Sequence, residues 1–382
     1  MVAELYPRPG DPVLGVWALR QALAARDAGA QVQVLVLDRP IPPVAAFRSG
    51  PGAVLAGVRA ARARRGRGEL DGIPVEYVPF VAPPRELSYA GWHRWARRPL
   101  ARALERAQPF DLVHAHYALP AGGAARPWTA RRGVPQVVSV HGGDVFSPLL
   151  STPRARADVG AVLRDSAGVL ANSAATLDRA AALAGRADHM RVVHLGADAP
   201  ADPPEKHAHH TVATLGHVIP RKRHEDVLRA VAALDGVRWV VIGDGPELPR
   251  LRELADELGA AERVTFTGQL APADALRELA RCHVMALPSV DEAFGVAYVE
   301  ALACGVPAIG LAGEGGPEEI AALGGGMTLV PPADAAALRA AIADTSGLEQ
   351  RAAAARATAA EHFTWEATGR ATVAAYEAAL GR

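Results

Sequence analysis

The chain has 382 residues, half of them hydrophobic but only 5% aromatic, so Ala, Val and Leu must build the cores of two or three domains. Its 41 Lys and Arg balance 41 Asp and Glu, which removes any bulk drive toward nucleic acid or an acidic membrane and leaves only local patches. Cys282 and Cys304 give neither a disulfide framework nor a zinc site. No apolar run approaches the roughly 18 residues of a membrane span and no signal peptide opens the chain, so a cytoplasmic protein is expected.

Met1–Leu5 is an apolar stub running into the turn-rich Tyr6–Pro12. A strand of this kind of domain has about five or six residues, so a clipped first strand is expected. Gly15–Ala28 then predicts a helix stopped by Gly29, and Gln31–Leu37 a strand. Further strands are expected at Ile73–Pro79, Asp111–Ala115, Pro135–Val140, Gly168–Ala171 and Arg191–Leu195, with helices between most of them. Such alternation implies a parallel sheet with right-handed crossovers. Ala197–His210, rich in Pro, Asp and His, breaks the pattern and reads as an interdomain linker. Alternation resumes with strands at Val212–Leu215, Val237–Ile242, Arg263–Thr267, His283–Leu287, Pro307–Gly310 and Met327–Val330, and an Ala-rich helical end. The fold class expected is α/β, with two Rossmann-like parallel-sheet domains facing across a cleft. The domains run 1–198 and 199–361, and a final helix over 362–382 packs back on the first.

The strongest local pattern is Glu292-Ala-Phe-Gly-Val-Ala-Tyr-Val-Glu300, followed by Ala301-Leu-Ala-Cys-Gly-Val-Pro-Ala-Ile309. A strand, a small-residue loop and a helix start make an anion site from free N–H groups and the helix dipole, and Gly295 allows close approach of a diphosphate. Two carboxylates invite a glycosidase reading, but eight helical residues rise roughly 12 Å, against about 5–10 Å for a glycosidase pair. They suit different parts of one elongated ligand, or two ordinary surface glutamates. Gly216-His-Val-Ile-Pro-Arg-Lys-Arg-His224 places Arg221, Lys222 and Arg223 at a strand's carboxyl end before a helix. Cations there oppose the helix dipole, which points to an anion facing them; a solvated helix start is the plain alternative.

These segments resemble family four of the retaining glycosyltransferases, which have the GT-B architecture. Ile242-Gly-Asp-Gly-Pro-Glu247, Val264-Thr-Phe-Thr-Gly-Gln269 and Val138-Ser-Val-His-Gly-Gly-Asp-Val145 extend the likeness over essentially the whole chain. The resemblance implies that Glu292, with amides near Phe294 and Gly295, holds donor-sugar hydroxyls and that Glu300 binds the ribose. Lys222 would neutralise the donor diphosphate and help the leaving group depart. Gly15 would approach the phosphates from the other domain, His141 would position the reacting groups, and main chain at Gln269 and Leu270 would contact the base. The catalytic set is therefore expected to be His141, Lys222 and Glu292. The final helix, from about Trp365, would cross back to the first domain. His217 stands where the family often has arginine, with Arg221 as the compensating cation, and the usual Asn-Gly before the domain crossing is replaced by His194-Leu-Gly-Ala-Asp198.

The expected activity is retaining transfer of a hexose from a UDP- or GDP-sugar to a hydroxyl of a cell-surface glycan, a lipid-linked or a small-molecule acceptor. A GT-B epimerase or phosphorylase and a silent sugar-nucleotide-binding protein are the alternatives. No cofactor or metal is expected, since no compact Asp-x-Asp pair occurs. His207, His209 and His210 read as a solvated tract. His116 either meets the acceptor or is structural, and Gly243-Asp-Gly-Pro-Glu-Leu248 lacks the third glycine of a dinucleotide fingerprint. Basic and aromatic residues in Arg59–Arg67 and Trp92–Arg102 are compatible with peripheral docking at the inner membrane face or with a solvated helix face.

Overall fold

The computed structural model describes all residues except 9–10, 41–48, 64–65 and 147–151; part of the basic stretch at 59–67 lies outside the described residues. The chain divides into two compact units, Met1–His194 with Glu366–Arg382, and Leu195–Trp365.

The first unit is built on eight strands: β1 Val2–Ala3, β2 Val34–Asp38, β3 Gly66–Leu70, β4 Ile73–Pro79, β5 Val113–His116, β6 Gln136–Val140, β7 Gly168–Ala171 and β8 Met190–Val192. Their order is β3-β4-β2-β1-β5-β6-β7-β8, parallel except that β3 runs antiparallel on β4. Central strands such as β2, β6 and β7 are buried along their whole length, as expected of a parallel sheet covered on both faces. The edge strand β3 escapes the hydrophobic pattern because its Gly-Arg-Gly-Glu-Leu sequence is almost wholly exposed. The observed β2 begins three residues later than its apolar run, since Gln31–Gln33 precede the ladder.

The helix Trp365–Ala379 packs its Ala375 and Tyr376 against Ala25, Val137, Leu170 and Val193 of the first unit. Gly369 permits this, because a Cβ there would lie 2.2 Å from the Ala24 carbonyl oxygen. Gln21 donates to Thr372 at 3.1 Å across the same seam.

The second unit has six parallel strands: β9 Thr211–Leu215, β10 Arg238–Ile242, β11 Val264–Gly268, β12 Val284–Ala286, β13 Ala308–Leu311 and β14 Met327–Val330, in the order β11-β10-β9-β12-β13-β14. The stretch read as an interdomain linker is hydrogen-bonded to this unit over its second half. The Lys206 ammonium donates to the Cys282 carbonyl at 2.6 Å, the His207 amide to that of Arg281 at 2.9 Å, and His207 pairs with Glu278 at 3.0 Å. Its composition is that of a loop, but main-chain hydrogen bonding needs no apolar periodicity.

Strand order reverses between β1 and β5 in one unit and between β9 and β12 in the other. At such switch points the loops leaving adjacent strands diverge, opening a crevice at the carboxyl ends where ligands bind. A cavity of about 910 Å³ in the first unit, lined by Gln31, Gln33, Asp111 and Tyr376, lies at the opposite, amino end of β2 and β5 and is not where the fold places a site.

Candidate functional site

In the second unit the loops after β9 and β12 flank the switch point. After β9 the chain makes a turn at Pro220–Lys222, closed by the Lys222 amide donating to the Ile219 carbonyl at 3.0 Å. It is tied to the β12 loop by the Val290 amide donating to the Arg221 carbonyl at 2.9 Å. This pinning directs two cations at one carboxylate: Lys222 Nζ lies 2.5 Å from Glu292 Oε2, and Arg221 Nη1 lies 3.6 Å from the same oxygen. The Lys222 and Glu292 side chains are only 12% and 9% exposed. Burial pulls the Lys222 ammonium below the usual lysine range, only partly offset by Glu292. Burial pushes the other way on Glu292, but Lys222 and Arg221 outweigh it and hold the carboxyl below its usual range. The two side chains lie at salt-bridge distance, and partly desolvated charge interacts strongly with a second anion placed beside it.

The helix Val296–Ala303 starts at this point. Gly295, its N-cap, has φ 89°, and a Cβ there would fall 2.3 Å from the Tyr298 ring, so only glycine lets the loop turn into the helix with Tyr298 underneath. The Tyr298 hydroxyl donates to the Leu287 carbonyl at the end of β12. Phe294 is buried against Phe363, so the structure uses its side chain as a plug and only its main chain remains for a ligand.

A third loop was not singled out from the sequence. Glu314 accepts the Glu292 amide at 2.9 Å, and Gly316, near the start of the helix Gly315–Leu323, lies so close to Phe294 that a Cβ would fall 2.3 Å from its carbonyl oxygen. The signal was available: Gly313-Glu-Gly-Gly-Pro-Glu-Glu319 joins a strand to a helix with proline inside its first turn.

Other expected residues sit farther out. Glu300 is half-buried on the same helix; burial, and then Asp198, pushes its carboxyl up to about 7. Gln269 and Leu270 follow β11, at the same end of the sheet but two strands from β9, with Gln269 exposed. His217 is exposed and close enough to buried His224 to help Lys222 lower it; burial is the first cause, and the result is about 4. The glycines of Gly243-Asp-Gly245 are explained by packing, since side chains there would collide with the main chain of Gly216 and Val218.

In the first unit, Gly15 caps the helix Val16–Asp27 with φ 64°, and a Cβ would lie 2.3 Å from the Leu5 carbonyl. His141 leaves the carboxyl end of β6. Its amide and that of Ala118 each donate at 3.0 Å to the buried Asp144 carboxylate, which joins the loops after β5 and β6. Burial pushes Asp144 up to about 6 against those hydrogen bonds. His116 is 1% exposed and so does not face solvent or an acceptor; it bonds to His141 instead, Nδ1 to Nε2 at 3.1 Å. Among the described residues, no three His, Cys, Asp or Glu side chains are grouped so as to hold a metal ion.

The two parallel-sheet units, with a charged cluster at the switch point of the second, define a GT-B glycosyltransferase fold. Two family models meet nearly end to end on the chain: the glycosyl transferase 4-like domain over residues 14–196 and the glycosyl transferases group 1 over 198–362. The chain belongs to family four of the glycosyltransferases. D-inositol 3-phosphate glycosyltransferases of Mycobacterium marinum and Mycobacterium ulcerans are each 35% identical to it over 323 residues, or 74% of this chain and 66% of those proteins. The chain thus spans just under two thirds of the length of these relatives. Among solved structures, HepE of Anabaena in complex with UDP and glucose has TM-score 0.73 at 20% identity. Sucrose-phosphate synthase of Thermosynechococcus elongatus has TM-score 0.74 at 21% identity, and both comparisons cover 98% of each chain. At such identities the likeness establishes the fold.

Proposed function

We propose that the protein is a retaining hexosyltransferase that moves a sugar from a nucleoside diphosphate sugar, with UDP or GDP as the nucleotide, to an acceptor hydroxyl. The observation that carries this reading is the Lys222–Glu292 pair, with Arg221 beside it and the Gly295 helix start above it, at the switch point of the second sheet. A diphosphate placed there meets two side-chain cations and the positive end of the helix dipole, which stabilise the charge that develops as it departs. Glu292 accepts from sugar hydroxyls, Glu300 from the ribose, and main chain at Gln269 and Leu270 meets the base. Gly15 and His141, on the first unit, contact phosphate and orient the reacting groups. The bond from the anomeric carbon to the phosphate oxygen breaks and that to the acceptor oxygen forms on the same face. The departing phosphate takes the acceptor proton, so no enzymic nucleophile is required. Neutralisation by Lys222 and Arg221 supports a reaction that proceeds without a divalent ion.

The acceptor class is a surface glycan, a lipid-linked sugar or a small molecule, and the mycobacterial relatives, named as D-inositol 3-phosphate glycosyltransferases, add inositol 3-phosphate to the candidates. No described helix is long and apolar enough to cross a membrane. Trp95, 54% exposed on the helix Trp92–Ala107, stands among exposed Arg97, Arg98 and Arg102, which supports a cytoplasmic protein docking peripherally at an anionic bilayer. The test is a panel of UDP-, GDP- and ADP-sugars, with and without these acceptors and with EDTA, following nucleotide release and the anomer of the product. A β product from an α donor sinks the retaining reading. Isomerisation without acceptor identifies an epimerase, and binding without turnover a silent module.

A further inference from the structure

Three histidines stand in file, His114 and His116 along β5 and His141 just after β6, and hydrogen bonds hold them in place. His114 has both ring nitrogens engaged: Nδ1 lies 2.7 Å from the Tyr376 hydroxyl and Nε2 2.8 Å from Ser139 Oγ. Ser139 Oγ also lies 3.4 Å from Gln21 Oε1, so the serine that holds His114 is itself anchored. This fixed ring stacks on His116 at 4.7 Å, with 29° between the planes, and holds it in place.

His116 and His141 are edge to edge, their ring planes 7° apart and centroids 5.3 Å apart, with the 3.1 Å Nδ1···Nε2 contact between them. Burial keeps His114 and His116 well below the usual imidazole range and lowers His141 to about 3. All three are neutral, and a single proton lies between His116 and His141. Nε2 of His116 and Nδ1 of His141 are buried and have no hydrogen-bond partner among the described residues. Whichever ring donates across the contact, one of these two outer nitrogens must carry a hydrogen. On His116, inside a strand and 1% exposed, an unpartnered N–H bears a permanent desolvation cost. On His141 the nitrogen is just as buried in the unliganded chain, but the residue sits half-buried on a loop rather than inside a strand, so a ligand oxygen entering beside that loop can satisfy it.

We propose that His116 is a positioning residue: it donates from Nδ1 to Nε2 of His141 and thereby fixes His141 as an Nδ1–H donor toward the ligand. This rests on the reading of His141 as the residue that orients the reacting groups. It sharpens that reading, because an imidazole held in this tautomer presents no lone pair to the ligand. It donates to a sugar or acceptor oxygen and takes no proton from the acceptor.

The experiment is two-bond ¹⁵N–¹H correlation on the histidine rings of the full-length chain, with His141 assigned from its loss in His141→Gln. The wild type should show His141 protonated on Nδ1. His116→Phe keeps the ring volume and the stack on His114 but removes the donor, and should move the majority of His141 to the Nε2–H form. His116→Asn, whose amide reaches the former Nδ1 position, should restore the wild-type pattern. In turnover, His116→Phe should lower kcat about tenfold with donor KM within about twofold, and His116→Asn should recover most of that loss. A wild-type His141 protonated on Nε2, or a pattern unchanged in His116→Phe, overturns the proposal, and the wild-type spectrum decides it even if the phenylalanine variant fails to fold. A changed tautomer with unchanged kcat upholds the role of His116 and refutes instead the part given to His141 in the reaction.

Discussion

Replacing Lys222 by alanine separates two effects that the structure superimposes on one side chain. Glu292 would be left 9% exposed beside a single cation, Arg221, whose nitrogen is 3.6 Å away and whose side chain is 41% exposed. Breaking a buried pair by removing one partner costs about 3–5 kcal/mol. The remaining arginine shares the charge, so a loss of about 2–3 kcal/mol in urea unfolding is expected. Turnover loses a charge poised on the departing diphosphate, a deletion of a kind that lowers kcat about 10²–10³-fold; Arg221 places the expectation near the lower figure. The two losses are told apart by adding Glu292→Gln to Lys222→Ala. With the stranded carboxylate gone, most of the stability should return, while nucleotide release at saturating donor should stay at least about 10²-fold below wild type. If the double variant regained turnover along with stability, or if Lys222→Ala alone turned over within about twofold of wild type, the pair would be structural and the diphosphate would lie elsewhere.

Glu300, raised to about 7 by burial and Asp198, accepts more strongly from a ribose hydroxyl once it is ionised. Nucleotide affinity should therefore tighten as pH rises from 6 to 8, and Glu300→Gln should bind about tenfold more weakly at pH 8 with a flat profile; equal slopes in titration calorimetry would remove Glu300 from the site. Asp144, raised to about 6 in the folded chain from 3.8, contributes stability that is fully present below the unfolded value and is lost as pH rises through about 6. The wild type should lose about 2–3 kcal/mol between pH 4 and 7 from this group, and Asp144→Asn should lack that slope while leaving one of the Ala118 and His141 amides unpaired. Superimposable pH profiles of urea unfolding would contradict it. Gly295→Ala forces an L residue to φ 89° and a methyl into Tyr298, so a stability loss of about 2–4 kcal/mol is expected, read as a lower melting temperature; an unchanged melting temperature would mean that the loop can rearrange.

Much of the fold is legible because parallel strands buried on both faces must be apolar runs, and those of β2, β6, β7 and β10 stand out in the chain. What lacks apolar periodicity is not legible: β3 pairs through its main chain with its side chains in solvent, and residues 197–210 attach by carbonyls and amides. The candidate site shows the same division. Lys222 and Glu292 can each be found from a basic turn and a helix start, but their direct pairing depends on β9 and β12 being neighbours, which is a property of strand order. Glu314 was missed because its carboxylate serves the main chain of another loop. His116 looks from sequence like a residue able to reach outward, since alternation along a strand says which face a side chain takes but not how deep it lies.

The helix Trp365–Ala379 closes the core of a unit whose strands and other helices all lie between Met1 and His194. During synthesis at about 5–20 residues per second, the second unit is translated in full while Val137, Leu170 and Val193 wait for Ala375 and Tyr376, and His114 waits for its hydroxyl partner. The amino-terminal half is therefore a client of its own carboxyl terminus. A nascent or prematurely stopped chain carries an open apolar seam, and loss of these last turns should be felt first as misfolding of the half farthest away in sequence.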